Sequence, residues 1–226
     1  MPNRIILLTA PECVPLVAPL LEAAGASVEA AITRVDLDRA ACSLPARLVS
    51  FGAGVIVPAA HLKAFSGAYN FHPGPPALPG LYPSVHALYA GHAEFGVTLH
   101  EMARAVDSGA IVAVERFPIP RDCDRLTLDA LTLPVMVEMV KRFAAALADI
   151  SRPLPRADID WTGPLRTGAD FAALCDVPEN ADAAEFHRRL RAVGEGPNHA
   201  LTVTRYGRKF RLVSEQSAVV RGGRAI

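Results

Sequence analysis

The chain has 226 residues, 51% of them hydrophobic and 20% charged, a balance that excludes wholesale disorder. Its 23 Lys and Arg offset 23 Asp and Glu, so a formal charge of zero argues against a general nucleic-acid binder while leaving room for a local basic patch. A chain this long buries roughly 70–75% of its unfolded surface, which suits one large domain, or one with a small appendage, and needs no disulfide or metal to fold.

In chain order, Arg4–Thr9 reads as a buried first strand and residues 12–24 as a helix stopped by Gly25. Val28–Val35 follows as a second strand, and residues 36–46 as a connection with at most a helical turn. The turn at Thr9–Cys13 lacks glycine, so no backbone cradle for nucleotide phosphates is expected there. Leu48–Val57 is a strand that breaks into a loop at Gly52 and Gly54, and Pro58 opens a helix to Phe65. Ala68–Phe71 is a short strand. Residues 72–83 hold five prolines and resist regular structure, and Ser84 caps a helix that Gly91 ends.

Phe95–Met102 and Ala110–Phe117 are strands joined by the turn Asp107-Ser108-Gly109. Thr127–Ala148 is the longest helix, kinked or started by Pro134. Residues 149–180 look like a polar linker that carries the lone tryptophan, Trp161. Asp182–Val193 is an amphipathic helix, and Leu201–Val213 a hairpin turning at Gly207-Arg208. The last dozen residues give little signal. This order predicts an α/β fold with a mostly parallel sheet over residues 1–150, and a linker with a small helix–hairpin extension over 151–226.

Cysteines at 13, 42, 123 and 175 form no C-x-x-C pair, so neither a zinc ribbon nor a dithiol site is expected, and a reducing cytoplasm fits. Pro11 and Glu12 interrupt the apolar start too early for a secretory leader, and no stretch reaches the roughly 18 apolar residues of a membrane span. No membrane partner and no metal are expected.

The chemistry concentrates in Asn70-Phe71-His72-Pro73-Gly74-Pro75-Pro76. Alternation along a strand puts Asn70 and His72 on one side, near the carboxyl end where ligands bind in open α/β sheets. An amide NH2 beside an imidazole offers two donors to one oxyanion. Asp107 is the natural third member, a carboxylate that would raise the pKa of His72 towards or above neutrality. Local pattern alone does not bring residues 72 and 107 together. His61, His92, His187 and His199 lack a partner pattern and read as surface or structural, and His86 stays open.

Asn70-x-His72-Pro73, followed about 35 residues later by Val106-Asp107-Ser108-Gly109, resembles the formyltransferases that use 10-formyltetrahydrofolate. Gly96–Met102 and Ala53–Pro58 are similar to two further segments of that family, in the same order. The likeness covers residues 47–120 well, and 1–35 by its strand–helix–strand pattern. It implies a Rossmann-like catalytic domain, with Asn70, His72 and Asp107 as the catalytic trio and 10-formyltetrahydrofolate as donor cosubstrate. It also implies folate contacts at Val55, Ile56 and Val57 on one wall, at Ala103 and Arg104 on the other, and at His100.

Methionyl-tRNA members of the family continue Ser-Leu-Leu-Pro where this chain has Gly74-Pro75-Pro76, and they carry a basic tRNA domain for which a helix and a hairpin are too little. The resemblance therefore implies a small amine as acceptor, most specifically a nucleotide-linked amino sugar, rather than nucleic acid. A formyl-folate hydrolase and a non-catalytic folate-binding module are the alternatives, and a homodimer stays open. The bases Arg188, Arg189, Arg191, Arg205, Arg208, Lys209 and Arg211 offer either a solvated face, an acceptor phosphate site or a partner surface. The short stretch between the second strand and Leu48 suggests a more open folate pocket.

Overall fold

Four parallel strands lead into an antiparallel pair, and the functional candidates gather where the direction changes. The structure is a computed structural model that describes residues 3–194 and 201–213; His199 and the last dozen residues of the sequence lie outside these. The elements of the main sheet are β1 (Asn3–Thr9), β2 (Ala26–Ala31), β3 (Arg47–Phe51), β4 (Ala68–His72), β5 (Glu94–Glu101) and β6 (Ile111–Pro118), in the spatial order β2-β1-β3-β4-β5-β6. β1 pairs parallel with β2 and β3, β3 pairs parallel with β4, and β4 pairs antiparallel with β5. The fold is thus α/β with a mostly parallel sheet, as the sequence predicts.

Side-chain alternation divides the sheet into two apolar faces. Ile5, Leu7, Val49, Phe51, Tyr69, Phe71, Val97 and Leu99 share one core with α1 (Val14–Ala23) and the later turns of α5 (Arg125–Ala148). Ile6, Leu8, Leu48 and Ala68 face the other core, beside α2 (Arg34–Ala40) and the loop residue Val57. Burial on both faces explains the nearly unbroken apolar runs of β1 and β3.

Several local expectations are corrected. The second strand stops at Ala31 rather than Val35, because Thr33 caps a helix over Arg34–Ala40: its hydroxyl accepts from the Asp36 N–H, and the Asp36 carboxylate accepts from the Thr33 N–H at 2.9 Å. Pro58 precedes α3 (Ala59–Ala64) as its cap rather than entering it. α4 (Pro83–Ala90) starts one residue before Ser84, its cap being Tyr82 at φ +55. α5 begins at Arg125 and continues past Pro134, so the proline does not start it; Asp124 caps its start by accepting from the Thr127 N–H at 2.8 Å.

Residues 149–165 do not leave as a linker. Leu154 is buried in the first core, and its N–H donates to the Tyr69 hydroxyl at 2.9 Å. The fully buried Arg47 ties this return in place, its guanidinium donating to the carbonyls of Ala146, Leu147 and Arg152 at the end of α5. Polar composition hid this packing because single apolar anchors and backbone carbonyls carry it.

The chain divides into two compact units. One comprises the described residues to Pro79, Gly96–Phe117 and Leu131–Leu165; the other comprises Gly80–Phe95, Pro118–Ala130 and the described residues from Arg166 onward. Within the second unit, α6 (Gly168–Cys175) leads to β7 (Asp176–Val177), and α7 (Ala183–Val193) packs on α4. β8 (Thr202–Arg205) and β9 (Arg208–Arg211) pair antiparallel, with β7 beside β8. The hairpin turns at Tyr206-Gly207, both at positive φ, one residue earlier than the sequence suggests. Among the described residues no helix is long and apolar enough to cross a membrane.

Candidate active site

Asn70 and His72 share a face of β4, and the register of β5 sets His100 directly opposite Asn70 and Thr98 opposite His72. Residues 69 and 71 point the other way, into the core. The Thr98 hydroxyl donates to the Gly74 carbonyl at 2.7 Å, which fastens the chain as it leaves β4 into the proline-rich segment. Asp107 arrives from the loop between β5 and β6 at φ +44, a left-handed conformation that an aspartate tolerates better than most residues. The strands close tightly behind it: the Glu101 N–H donates to the Ala110 carbonyl at 2.9 Å, and a Cβ on Gly109 would lie 2.0 Å from the Glu101 oxygen. Only glycine fits there.

The four polar side chains meet. His72 Nδ1 lies 3.2 Å from Asp107 Oδ2, and His100 Nε2 lies 3.2 Å from Asp107 Oδ1. Asn70 Nδ2 is 3.1 Å from the same His100 nitrogen. His72 Nε2 is 2.9 Å from the Leu78 carbonyl oxygen, and His100 Nδ1 is 2.7 Å from that of Glu101. Asn70 is half-buried, while His72, His100 and Asp107 are buried.

Electrostatics reverse one expectation. Burial, the largest influence, holds the His72 pKa below its ordinary value, although Asp107 and the Leu78 carbonyl both pull it upward. The neighbouring His100 ring lowers it further. His72 is therefore not raised towards imidazolium in the unliganded protein. It is a base kept neutral by desolvation, with a carboxylate positioned to stabilise its charge once a proton arrives.

Trp161 completes the enclosure and was not singled out by the sequence. Its ring meets His100 edge-on with centroids 5.0 Å apart and His72 with centroids 5.7 Å apart. Its indole N–H donates to the Gly109 carbonyl at 2.9 Å. The one signal available was a lone tryptophan in a polar stretch, where nothing local explains its cost in exposed apolar area.

The expected folate-contact residues occupy other surroundings. Val55 is half-buried and Ile56 exposed in the loop after β3, while Val57 is buried in the second core. Ala103 and Arg104 are exposed on the loop before Asp107. None of these five has a hydrogen bond or ion pair to the four-residue cluster among the described contacts, whereas His100 is part of it. Among the described residues no group of three or more His, Cys, Asp and Glu could hold a metal ion.

Comparison with known proteins bears on this geometry. Residues 40–135, which span β3 to the early turns of α5 and hold all four cluster residues, match the formyl transferase family.

Over that segment the chain is similar to the formyl transferases.

A methionyl-tRNA formyltransferase from Thermus thermophilus is 30% identical over 132 residues, covering 58% of this chain and 42% of that one. The chain thus spans less than half the length of that curated relative. A sugar N-formyltransferase structure from Shewanella sp. has a TM-score of 0.74 at 18% identity, with 94% of this chain and 97% of that one covered. An N-formyltransferase structure from Helicobacter canadensis, in complex with folinic acid and dTDP-3-aminofucose, has a TM-score of 0.65 at 16% identity, with 89% and 86% covered. At such identities the structural likenesses show the fold. The formyl transferase segment begins before β3, so the parallel strands β1 and β2 enter through the fold comparison alone.

The basic residues of the second unit are largely engaged. Arg188 and Arg189 both pair with Glu185, and Arg189 also donates to the carbonyls of Ala173, Leu174 and Asp176. Arg191 donates to the Cys123 carbonyl at 2.7 Å. Arg205 lies 3.7 Å from Glu179, and Lys209 lies 3.5 Å from Asp176. These contacts give Arg188, Arg189, Arg191, Arg205 and Lys209 a structural use.

Proposed function

We propose that the protein transfers a formyl group from 10-formyltetrahydrofolate to the amine of a small acceptor, most specifically a nucleotide-linked amino sugar. The observation that carries the reading is the convergence of Asn70, His72 and Asp107 at the end of β4, inside the segment that matches the formyl transferase family. The folinic acid and amino-sugar nucleotide in the Helicobacter canadensis complex favour the donor and acceptor classes. The catalytic part in this reading is the unit that holds the whole cluster, the described residues to Pro79 with Gly96–Phe117 and Leu131–Leu165.

In this reading the acceptor nitrogen forms a bond to the formyl carbon and the carbonyl π pair moves onto oxygen. The Asn70 NH2 donates to that oxyanion. The amine gives up one proton to the His72–Asp107 pair, directly or through water: the Leu78 carbonyl can only accept, so His72 Nε2 carries its hydrogen and the incoming proton settles on Nδ1, 3.2 Å from Asp107 Oδ2. The C–N10 bond breaks, the oxygen pair re-forms the carbonyl, and N10 leaves with one proton. N10 takes the proton that the amine released to the His72–Asp107 pair, so the cluster returns to the charge with which it began. The family resemblance assigns the folate contacts in this reading to Val55, Ile56, Val57, Ala103 and Arg104.

Purified protein incubated with 10-formyltetrahydrofolate and a panel of nucleotide-linked amino sugars tests this, with tetrahydrofolate release and acceptor mass as readouts. Formylated product supports the proposal. Folate release without any amine makes the protein a hydrolase, and folate binding without turnover under either condition makes it a binding module. Formylation of methionyl-tRNA alone would overturn the small-acceptor assignment.

A further inference from the structure

We propose that His100 is a positioning residue that fixes which end of the Asn70 amide faces the reaction. The role rests on the formyl-transfer reading, because there the Asn70 NH2 must meet the developing oxyanion.

The argument is one of hydrogen-bond direction. A backbone carbonyl can only accept, so the 2.7 Å contact between His100 Nδ1 and the Glu101 oxygen puts the ring proton on Nδ1. Nε2 of that tautomer carries a lone pair. Asn70 Nδ2 lies 3.1 Å from it and donates. Asp107 Oδ1 already lies 3.2 Å from that nitrogen, so flipping the amide would bring Asn70 Oδ1 to the lone pair as a further acceptor and remove the one donor that offsets them, at a ring that is 2% exposed. The direction of the chain is therefore set at Glu101 and passed through His100 to Asn70.

The backbone enforces this contact. Asn70 and His100 are Cα partners across the antiparallel β4–β5 pair, so their side chains leave the same face side by side. The edge of Trp161 against the His100 ring limits its rotation. One further group reaches His100: Asp107 Oδ1 lies 3.2 Å from its Nε2, while Oδ2 of the same carboxylate lies 3.2 Å from His72 Nδ1. The Glu101 carboxylate is turned to Arg156, 2.8 Å away, and only the Glu101 backbone oxygen serves His100. Asn70 and Asp107 meet His100 at one nitrogen, and the lone pair there holds the Asn70 NH2.

Two measurements on the full chain test the assignment. Nitrogen-15 spectra of the histidine rings report the tautomer, and exchange of the Asn70 side-chain amide protons reports the bond. The expected result is the Nδ1–H tautomer at His100, with Asn70 amide exchange accelerated about tenfold or more in His100→Leu. An Nε2–H tautomer, or unchanged exchange, would overturn the proposal. This arm needs no turnover, so it stands apart from any failure of the formyl-transfer reading.

Kinetics supply the second arm. His100→Leu lowers kcat by about 10–100-fold with KM for the folate changed less than about threefold, and His100→Gln, whose amide oxygen can accept, recovers part of the loss. In an Asn70→Ala background His100→Leu costs nothing further. Losses that multiply instead would show that His100 acts independently of Asn70 and would end the proposal. Should His100→Leu fail to fold, His100→Gln and the wild-type tautomer still decide it.

Discussion

The cluster at the end of β4 and the Glu185 hub on α7 both bring charge-bearing side chains together, by opposite physical means. In the cluster, His72, His100 and Asp107 are buried, and burial holds the His72 imidazole below its ordinary pKa. In the hub, Glu185 accepts from Arg188, Arg189 and the Tyr89 hydroxyl, and its pKa is lowered to about 2, chiefly by the Arg188 hydrogen bonds. Arg188 also lies over the Tyr89 ring, 4.7 Å from its centroid. A desolvated group is primed to change its charge when a substrate proton arrives. A group surrounded by cations keeps its charge at every ordinary pH, which suits holding α4 against α7 and not chemistry.

The sharpest way to break the comparison is to remove members of the cluster. Asn70→Ala, His72→Ala and Asp107→Ala each should lower kcat by about 10² or more, while thermal unfolding shifts modestly. Near-full activity in His72→Ala, measured with saturating folate and acceptor, would remove the cluster from catalysis.

Arg47→Met should come next in size, and on stability. It strips the donors from the carbonyls of Ala146, Leu147 and Arg152, and loses the packing of the guanidinium over Tyr69 at 5.3 Å. A loss of about 3 kcal/mol in urea unfolding is expected. A change under about 1 kcal/mol would mean that water or the shortened side chain replaces those bonds at no cost.

The two regions should also separate along the pH axis. His72 and His86 are both held below their ordinary 6.5 by burial, so the unfolded chain takes up these protons first as pH falls. Their share of stability is complete above about pH 6.5 and declines below it. Glu185, ordinarily 4.5 and held at about 2, contributes above 4.5 and loses that contribution as pH falls towards 2. Calorimetric melts from pH 8 to pH 4 should show the imidazole decline first, and His72→Gln should flatten it. An unchanged slope in His72→Gln would place the buried proton elsewhere.

The smallest effect belongs to Glu185→Gln. Arg188 is half exposed, and such pairs contribute on the order of 1 kcal/mol or less. The loss should shrink in high salt, as an exposed pair is screened. A salt-independent loss of several kcal/mol would show that the hub is as desolvated as the cluster.

Much of this was legible beforehand, and the misses share a cause. Alternation within Asn70-Phe71-His72 placed both polar side chains on one face, and the turn at Asp107–Gly109 was read from its residue types. The helix over Arg34–Ala40 was missed because Thr33 and Val35 suggest a strand, while the capping pair Thr33 and Asp36 spoke for a helix start. His72 was expected to gain charge from Asp107; sequence shows a partner's charge and hides the depth of burial that outweighs it. Trp161 and Arg47 act through backbone carbonyls of residues 109, 146, 147 and 152, contacts that leave no residue-type signature.

The pairing of β4 with β5 carries a consequence for how this chain can vary. Because Asn70 faces His100 and His72 faces Thr98 by strand register alone, one residue inserted or deleted within residues 97–100 would rotate the imidazole of position 100 to the opposite surface. Every cluster side chain would survive such a change and the site would still be lost. Substitutions can therefore accumulate along β5 far more freely than changes in its length, and a descendant with an altered count there would have to rebuild its amide lock from a different position.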